Sequence, residues 1–308
     1  MPSGHRTVLL HEAIDALNIE PSNIVLDGTL GGAGHAQEIL RRLGPEGRLI
    51  ALDADKDAIE RAAEIFKNDA RVHLIHDNFR NLGDRLASHG FDQIDAAVFD
   101  LGWSGYQLAS GRGFSFLSDE PLSMTYDEAQ PLTAATIVNK WEASSIEDVI
   151  RGWGEERYAK RIAKRIVSER EKKTIATARE LAEIVKAAVP APYRHGRIHP
   201  ATKTFQALRI AVNDELGALE DGLASAWRML APGGRIAVIT FHSIEDRIVK
   251  RLFREREDEG SGKRVTKKPL TPSEEEIATN PRSRSAKLRV IEKLEYEKGT
   301  QDQQIHSV

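Results

Sequence analysis

Three aspartates, Asp27, Asp53 and Asp100, each follow a short apolar run in the first hundred residues. Carboxylates at such positions can hold ribose hydroxyls or accept a hydrogen bond from an amine. The apolar runs cover residues 24–26, 49–52 and 96–99. Because ligands of open α/β sheets bind at the carboxyl ends of the strands, we expect the three carboxylates to lie at one cleft.

A glycine-rich segment, residues 28–35, comes directly after the first apolar run. Glycines let the backbone approach a ligand closely, and a helix N-terminus favours negative groups. The dinucleotide fingerprint does not fit, because Gln37 stands where its third glycine is expected. Asp53 lies 19 residues after Gly34, about where Rossmann-type sites place an acid on a ribose. Together these residues predict a ligand with an adenosine-like ribose, and they leave NAD and S-adenosylmethionine both open.

Asp100 and His242 are the other candidates for chemistry. Asp100 starts the segment Asp-Leu-Gly-Trp-Ser, and its carboxylate could contact an adenosyl ligand or hydrogen-bond an amino group that is to be methylated. His242 follows a later apolar run, residues 236–241, and could be a base. A lone histidine at a strand end is more often structural.

Apolar runs alternate with amphipathic helical segments over most of the chain, which predicts βαβ units and a parallel sheet. This pattern stops after Asp100 and returns near Thr204. Between them the periodicity is helical, with a capping box at Thr177 and Glu180. The predicted fold is therefore one α/β domain of residues 1–104 and 201–308, interrupted by a helical domain at 105–200. Further predictions are one helix through Leu208 and Leu219 toward Leu230, a turn at 232–234, and a polar, partly mobile stretch at 258–285.

Charge is uneven along the chain. The whole chain carries a net charge of −3, yet residues 151–173 hold nine Lys or Arg against four Glu. Within this stretch the basic residues lie largely opposite an apolar helical face. Two interpretations stay open, a solvated helix face or a surface that binds RNA phosphates. The candidate phosphate contacts are Lys160, Arg161, Lys164 and Arg165.

Composition excludes several classes of protein. The chain has no cysteine, which excludes disulfides, thiolate-bound metals, iron–sulfur clusters and a covalent cysteine nucleophile. We expect no metal site. No apolar run approaches the ~18 residues that span a bilayer, and residues 1–13 lack the apolar core of a signal peptide. These features predict a cytoplasmic protein with no membrane contact; they do not indicate an oligomeric state.

Several blocks, in this order, resemble the bacterial 16S ribosomal RNA cytosine-N4 methyltransferases, the RsmH or MraW family. The likeness runs almost end to end. The blocks are His5-Arg-Thr-Val-Leu-Leu10, Asp27-Gly-Thr-Leu-Gly-Gly-Ala-Gly-His35, Asp100-Leu-Gly-x-Ser104 with Gln107, Arg112-Gly-Phe-Ser-Phe116, Gly154-Glu-Glu-Arg157, His199-Pro-Ala-Thr-Lys-Thr-Phe-Gln206, Phe241-His-Ser-Ile-Glu-Asp-Arg247 and Asn280-Pro-Arg-Ser-Arg-Ser285.

The resemblance implies a Rossmann-like, class I S-adenosylmethionine-dependent methyltransferase that modifies a cytosine in the decoding region of 16S ribosomal RNA. Its partner would be that RNA or the small ribosomal subunit, and the inserted helical domain would face the RNA. Asp100 is the candidate catalytic residue, and a nearby carbonyl is the alternative acceptor for the amine hydrogens. The cofactor contacts carried over by position are Ala33, Gly34, His35, Asp53, Phe79, Asp100 and Gln107.

The chain departs from the family pattern at four positions. Gly105 and Tyr106 replace a Ser-Pro pair, and Ser123 and Thr125 stand where the family has an acid and an arginine. These departures keep open an RNA-binding ribosome-assembly factor with weak or no turnover. A nicotinamide-dependent oxidoreductase is the other alternative. The lack of cysteine agrees with N-methylation, because methylation at C5 of a pyrimidine needs a thiolate.

Overall fold

The structure, a computed structural model, describes residues 6–102, 105–108, 110–127, 129–196 and 198–295. His5, Trp103 and Ser104 of the blocks above lie outside these ranges. Within the described ranges, no helix combines the length and apolar character needed to cross a membrane.

A seven-stranded sheet carries the predicted α/β pattern. Its strands are β1 (Ile24–Asp27), β2 (Arg48–Asp53), β3 (Val72–His76), β4 (Ile94–Asp100), β5 (Leu230–Thr240), β6 (Gly262–Arg264) and β7 (Lys287–Lys293). Their order across the sheet is β3-β2-β1-β4-β5-β7-β6. The first five of these run parallel, whereas β7 runs antiparallel to β5 and β6 antiparallel to β7. Parallel pairing brings the carboxyl ends of β1, β2 and β4 to one edge, as the Rossmann-like α/β fold requires.

Helices cover the sheet and form a separate layer. They are α1 (Leu10–Ala16), α2 (Gly34–Arg42), α3 (Lys56–Ile65), α4 (Leu82–Ser88), α5 (Gly105–Leu108), α6 (Ala134–Lys140), α7 (Ala143–Gly154), α8 (Ala159–Arg170), α9 (Ala178–Ala188), α10 (Ala191–Arg194), α11 (Thr202–Asn213), α12 (Glu215–Met229), α13 (Ser243–Asp258) and α14 (Glu274–Thr279). Short 3₁₀ helices lie at Phe79–Asn81 and Pro281–Ser285.

Three hydrophobic clusters make up the core. Residues from α1 and α2 cover one face of the sheet, and residues from α4, α12 and α13 cover the other. The third cluster lies between helices α6, α7, α8, α9 and α11. It takes in Phe205 and Leu208 of α11, so this helical cluster extends past residue 200. The division into domains at 104 and 200 stays a prediction.

Local signals explain the ends of several helices. Asp55 caps α3, because its side chain accepts from the backbone amide of Asp57. The predicted capping box at Thr177 and Glu180 is confirmed at the start of α9. Pro190 follows α9 within two residues, where it cannot continue the helix.

Three predictions were wrong in detail. The single helix toward Leu230 is two helices, because Asp214 has a left-handed backbone (φ 45°) that ends α11 and starts α12. Residues 232–234 form a bulge inside β5, where the register to β4 shifts between Ile94 and Ala96, and are not a turn before a strand. Residues 258–285, which were predicted as a polar, partly mobile stretch, contain the strand β6 and the helix α14.

Candidate active site

A cavity of about 330 Å³ opens where the parallel strands end. Six of the seven predicted cofactor contacts line it: Gly34, His35, Asp53, Phe79, Asp100 and Gln107. The seventh, Ala33, is buried beside the cavity and precedes α2 with a left-handed backbone (φ 63°). The structure thus brings the predicted set together around one space.

Asp53 is the acid after β2 that reaches the cavity. Its Oδ2 accepts from the backbone amide of Gly31 at 2.7 Å, and its Oδ1 accepts from that of Asp55 at 2.8 Å. Burial raises the pKa of Asp53 to about 6. Asp55 instead pairs with Arg112 at 2.8 Å, and Asp57 lies exposed in the first turn of α3. These contacts tie the glycine turn to the acid that we expect on the ribose.

Glycine is required at two positions of the turn. A Cβ on Gly34 would overlap the Oγ1 of Thr7, and one on Gly28 would overlap the ring of Phe99. Thr7 belongs to the chain segment that precedes α1. The turn is therefore packed from both sides by other parts of the chain, which keeps its backbone against the cavity.

Asp100, the last residue of β4, lines the cavity. Its backbone amide donates to Thr29 Oγ1 at 2.6 Å, and its Oδ2 lies 3.8 Å from His35 Nδ1. Its Oδ1 is buried and has no hydrogen-bond partner among the described residues. Burial, reinforced by the charges of Asp27 and Glu245, raises the pKa of Asp100 well above its usual range. Such a carboxylate is an unsatisfied acceptor and a stronger base than an exposed aspartate.

Asp27 differs from the other two strand-end acids. It is 1% exposed and does not line the cavity, so the expectation that all three face the cleft is wrong. Its Oδ1 accepts from the amide of Thr29 at 3.1 Å. Burial raises the pKa of Asp27 to about 7. Asp27 therefore supports the turn from below.

Four polar residues that the sequence analysis missed also line the cavity, and the part of the lining that they form is here called the acceptor end: Tyr126, Asn213, Glu215 and Glu245. The Tyr126 hydroxyl donates to Glu215 at 2.9 Å, and the buried Arg209 guanidinium lies 2.7 Å from the same carboxylate. The Asn213 side chain accepts from the Tyr126 amide at 2.9 Å. Only Glu245 lies in a family-like block; the others come from unrelated segments and carry no local signal.

His242 has a structural task, the alternative that the sequence favoured. It is the N-cap of α13, and its Nδ1 accepts from the amide of Glu245 at 3.3 Å. Ligand atoms of Glu215, His242 and Glu245 lie within 4.8 Å of one another. All three already have partners, since Glu215 pairs with Arg209 and Glu245 accepts from the Phe241 amide.

The four departures from the family pattern make local contacts. The hydroxyls of Ser123 and Thr125 lie 2.8 Å apart, and Thr125 is buried. The ring of Tyr106 lies 4.4 Å from the guanidinium carbon of Arg61. Gly105 alone of the four lines the cavity. Ser123 and Thr125 therefore leave the lining of the cavity unchanged.

The predicted phosphate contacts lie away from the cavity on α8. Lys160, Arg161, Lys164 and Arg165 are exposed, whereas the opposite face of the helix is buried. Arg165 pairs with Glu169 at 2.9 Å. The predicted segregation of charged and apolar faces is confirmed, and contact with RNA stays a prediction.

The chain is similar to known proteins over nearly its whole length. The MraW methylase family matches residues 2–294. A protein of Symbiobacterium thermophilum, named ribosomal RNA small subunit methyltransferase H, is 48% identical over 312 residues, which is 96% of this chain and 98% of that protein. A protein of the same name from Paenibacillus sp. is 48% identical over 313 residues, which is 94% of this chain and 99% of that protein.

Two of the solved structures that the chain resembles have much lower sequence identity. An rRNA methylase from Streptococcus thermophilus has a TM-score of 0.44 at 13% identity, over 96% of this chain and 99% of that chain. NSun6 from Pyrococcus horikoshii with SFG has a TM-score of 0.45 at 12% identity, over 94% of this chain and 53% of that chain. From the family match and its two relatives, this chain belongs to the MraW methylase family.

Proposed function

We propose that this protein transfers a methyl group from S-adenosylmethionine to the N4 amine of a cytosine in the decoding region of 16S ribosomal RNA. At the coarser level the chain is a methyltransferase of small-subunit ribosomal RNA. The observation that carries the proposal is Asp100, a carboxylate with a buried, unpartnered Oδ1 that lines the same cavity as the glycine turn and the acceptor end. That position suits contact with both a cofactor and an amine.

The lining residues fit S-adenosylmethionine. Asp53 would accept from the ribose hydroxyls, because each of its oxygens keeps a free lone pair beside its one backbone bond. Phe79 would pack on the adenine, and Gly34, His35 and Gln107 would surround the methionine end. When bound, the cofactor supplies a methyl group on a sulfonium sulfur, which an amine can attack directly.

Asp100 would position the amine of the target base and take its proton. The cytosine amine is a weak nucleophile, because its lone pair is delocalised into the ring. An acceptor that holds one N–H in place restricts the orientation of the amine, and orientation can supply several kcal/mol of a barrier. The raised pKa of Asp100 favours proton uptake, and a nearby cationic sulfonium favours the ionised form beforehand.

The acceptor end would receive a base that has left its stack. Tyr126 and Phe241 offer ring surfaces there, and Glu215 and Glu245 offer further acceptors. The absence of cysteine supports an exocyclic nitrogen rather than C5 as the target. Exposed cations on α8 would contact backbone phosphates outside the cavity.

Methyl transfer to small-subunit RNA tests the proposal. The parent protein should transfer label from S-adenosylmethionine, and Asp100→Asn should lower the single-turnover rate at saturating cofactor by at least tenfold, because it keeps the shape and removes the base. A wild-type rate in the variant would contradict the role of Asp100. Binding without transfer by the parent would favour the assembly factor, and calorimetric binding of NAD in preference to S-adenosylmethionine would favour an oxidoreductase.

A further inference from the structure

Residues 6–8, which precede α1, and residues 279–282 both line the cavity, and they are here called its wall. Arg6, Asn280 and Arg282 are all part of the cavity lining. We infer that Arg6 and Arg282 bind a backbone phosphate of the RNA strand beside the target nucleotide. This inference rests on the proposed function, and it assigns a site that is separate from the exposed face of α8.

Two hydrogen bonds join the residues before α1 to residues 276–280, and a third fixes Asn280 within its own segment. The Leu9 amide donates to Glu276 at 3.0 Å, and the Asn280 side chain donates to the Arg6 carbonyl at 3.0 Å. The fully buried Ser283 donates its hydroxyl to the Asn280 carbonyl at 2.8 Å. Since Arg282 lies between Asn280 and Ser283, its backbone is held while its side chain stays exposed.

Both arginines are free to take a ligand. Arg6 and Arg282 are exposed, and neither makes an ion pair with another residue of the described ranges. Some exposed arginines elsewhere do pair, as Arg247 does with Glu155 and Arg254 with Asp258. A guanidinium suits a phosphate, because its planar set of donors matches two of the phosphate oxygens.

The charge of the cavity lining is the second reason to place an RNA phosphate on these arginines. Its lining includes Asp53, with a pKa of about 6, and Glu245, whose pKa is lowered, so both are ionised at neutral pH and would repel a polyanion. The target nucleotide must nevertheless enter the cavity, and the phosphate bonded to it must then come close to these acids. Cations at the mouth would offset that repulsion where the phosphate stops, while the uncharged base continues inward. The exposure of both side chains fits a ligand at the surface better than the carboxylate of a small cofactor held inside.

Binding of a fluorescent single-stranded RNA of decoding-region sequence tests the site. The variants are Arg6→Gln and Arg282→Gln, and Lys263→Gln is the control, because Lys263 is an exposed cation on the edge strand β6 and does not line the cavity. One lost phosphate contact should make the log–log salt slope shallower by about 0.7, which is about a fivefold loss of affinity at 0.1 M salt. Affinity for S-adenosylmethionine should stay within twofold of the parent.

Three results would overturn the inference. One is an unchanged salt slope in both variants, and another is an equal loss in Lys263→Gln. A tenfold loss of S-adenosylmethionine affinity with unchanged RNA binding would instead place the cofactor carboxylate on these arginines. Failure of the parent protein to methylate small-subunit RNA would count against the proposed function. It would not count against the phosphate site, because the binding assay needs no turnover.

Discussion

The three strand-end aspartates show that buried residues of one type can have different roles, depending on whether the side chain lines the cavity. Asp53 and Asp100 line the cavity, whereas Asp27 lies beneath the glycine turn. Burial raises the pKa of all three, to about 7 for Asp27 and about 6 for Asp53. The sequence places them at strand ends but does not show which side chain reaches the cleft, because that depends on how the turn packs against Thr7 and Phe99.

Asp53→Ala should weaken S-adenosylmethionine binding at least tenfold in calorimetry. The change removes two charge-assisted hydrogen bonds to the ribose, each worth roughly 1.5–3 kcal/mol. Asp57→Ala is the matched control, because Asp57 is an exposed acid of the same segment. Unchanged affinity in a folded Asp53 variant would exclude the ribose assignment.

Asp27→Asn should alter how stability depends on pH. An aspartate in the unfolded chain ionises near 3.8, whereas Asp27 in the folded protein keeps its proton to about pH 7. The folded state therefore binds more protons between these values, and the free energy of unfolding of the parent falls as pH rises through this window. Asparagine does not titrate and can still accept from the Thr29 amide.

Denaturant unfolding at pH 4.5 and pH 8 measures the effect. The stability of the variant relative to the parent should increase from the lower to the higher pH. Asp53 and Asp100 titrate in both proteins, and the charge of Asp27 also raises the pKa of Asp100, so the difference reports Asp27 together with its coupling to these two acids. Parallel pH profiles for the two proteins would show that Asp27 is not a buried acid with a raised pKa.

At the scale of elements, the periodicity of the sequence predicted those strands and helices whose formation depends on local sequence. The runs at 24–26, 49–52 and 96–99 became β1, β2 and β4, and the amphipathic stretch after Tyr158 became α8. The break between α11 and α12 was missed, because a left-handed Asp214 interrupts a pattern that is otherwise continuous. The short strand β6 was missed as well, since its pairing with β7 is a tertiary contact.

Helix α8 should contribute RNA phosphate contacts through its exposed cations. Replacing Lys160 and Lys164 together by Gln should make the salt slope of RNA binding shallower by about 1.4, at about 0.7 per contact for single strands. S-adenosylmethionine affinity should be unchanged, because neither residue lines the cavity. Lys186→Gln is the control, since Lys186 lies on the neighbouring helix α9 in an ion pair with Glu183. Equal slopes for the double variant and the parent would leave α8 as a solvated face.

For the whole molecule, two polar contacts connect the helical cluster and its adjoining loop to the sheet domain. Arg112 reaches from that loop to Asp55, next to the acid at the cofactor end. Glu155, at the end of α7, accepts from Ser243 and Arg247 at the start of α13, both at 2.6 Å. Both contacts lie in blocks that resemble the family, so those blocks hold the parts together as well as line the site.

The part of the cavity lining that we propose binds the cofactor was largely predictable from the sequence, and the acceptor end was not. Strand ends and a glycine turn are local signals, so they pointed to Gly34, Asp53 and Asp100. Tyr126 and Glu215 come from separate segments, and only the packing of α11 and α12 brings their side chains together. The resemblance supplied His35, Phe79 and Gln107, which residue patterns alone did not indicate.

The position of the transferred methyl group tests the central claim most directly. Small subunits that lack this modification would be incubated with the protein and labelled S-adenosylmethionine, and the RNA would then be digested to nucleosides and mapped by mass spectrometry. The account predicts N4-methylcytidine in the decoding region of 16S ribosomal RNA, with Asp100→Asn giving at least tenfold less in a single turnover. Label on C5, on another base, or on RNA outside the small subunit would contradict it.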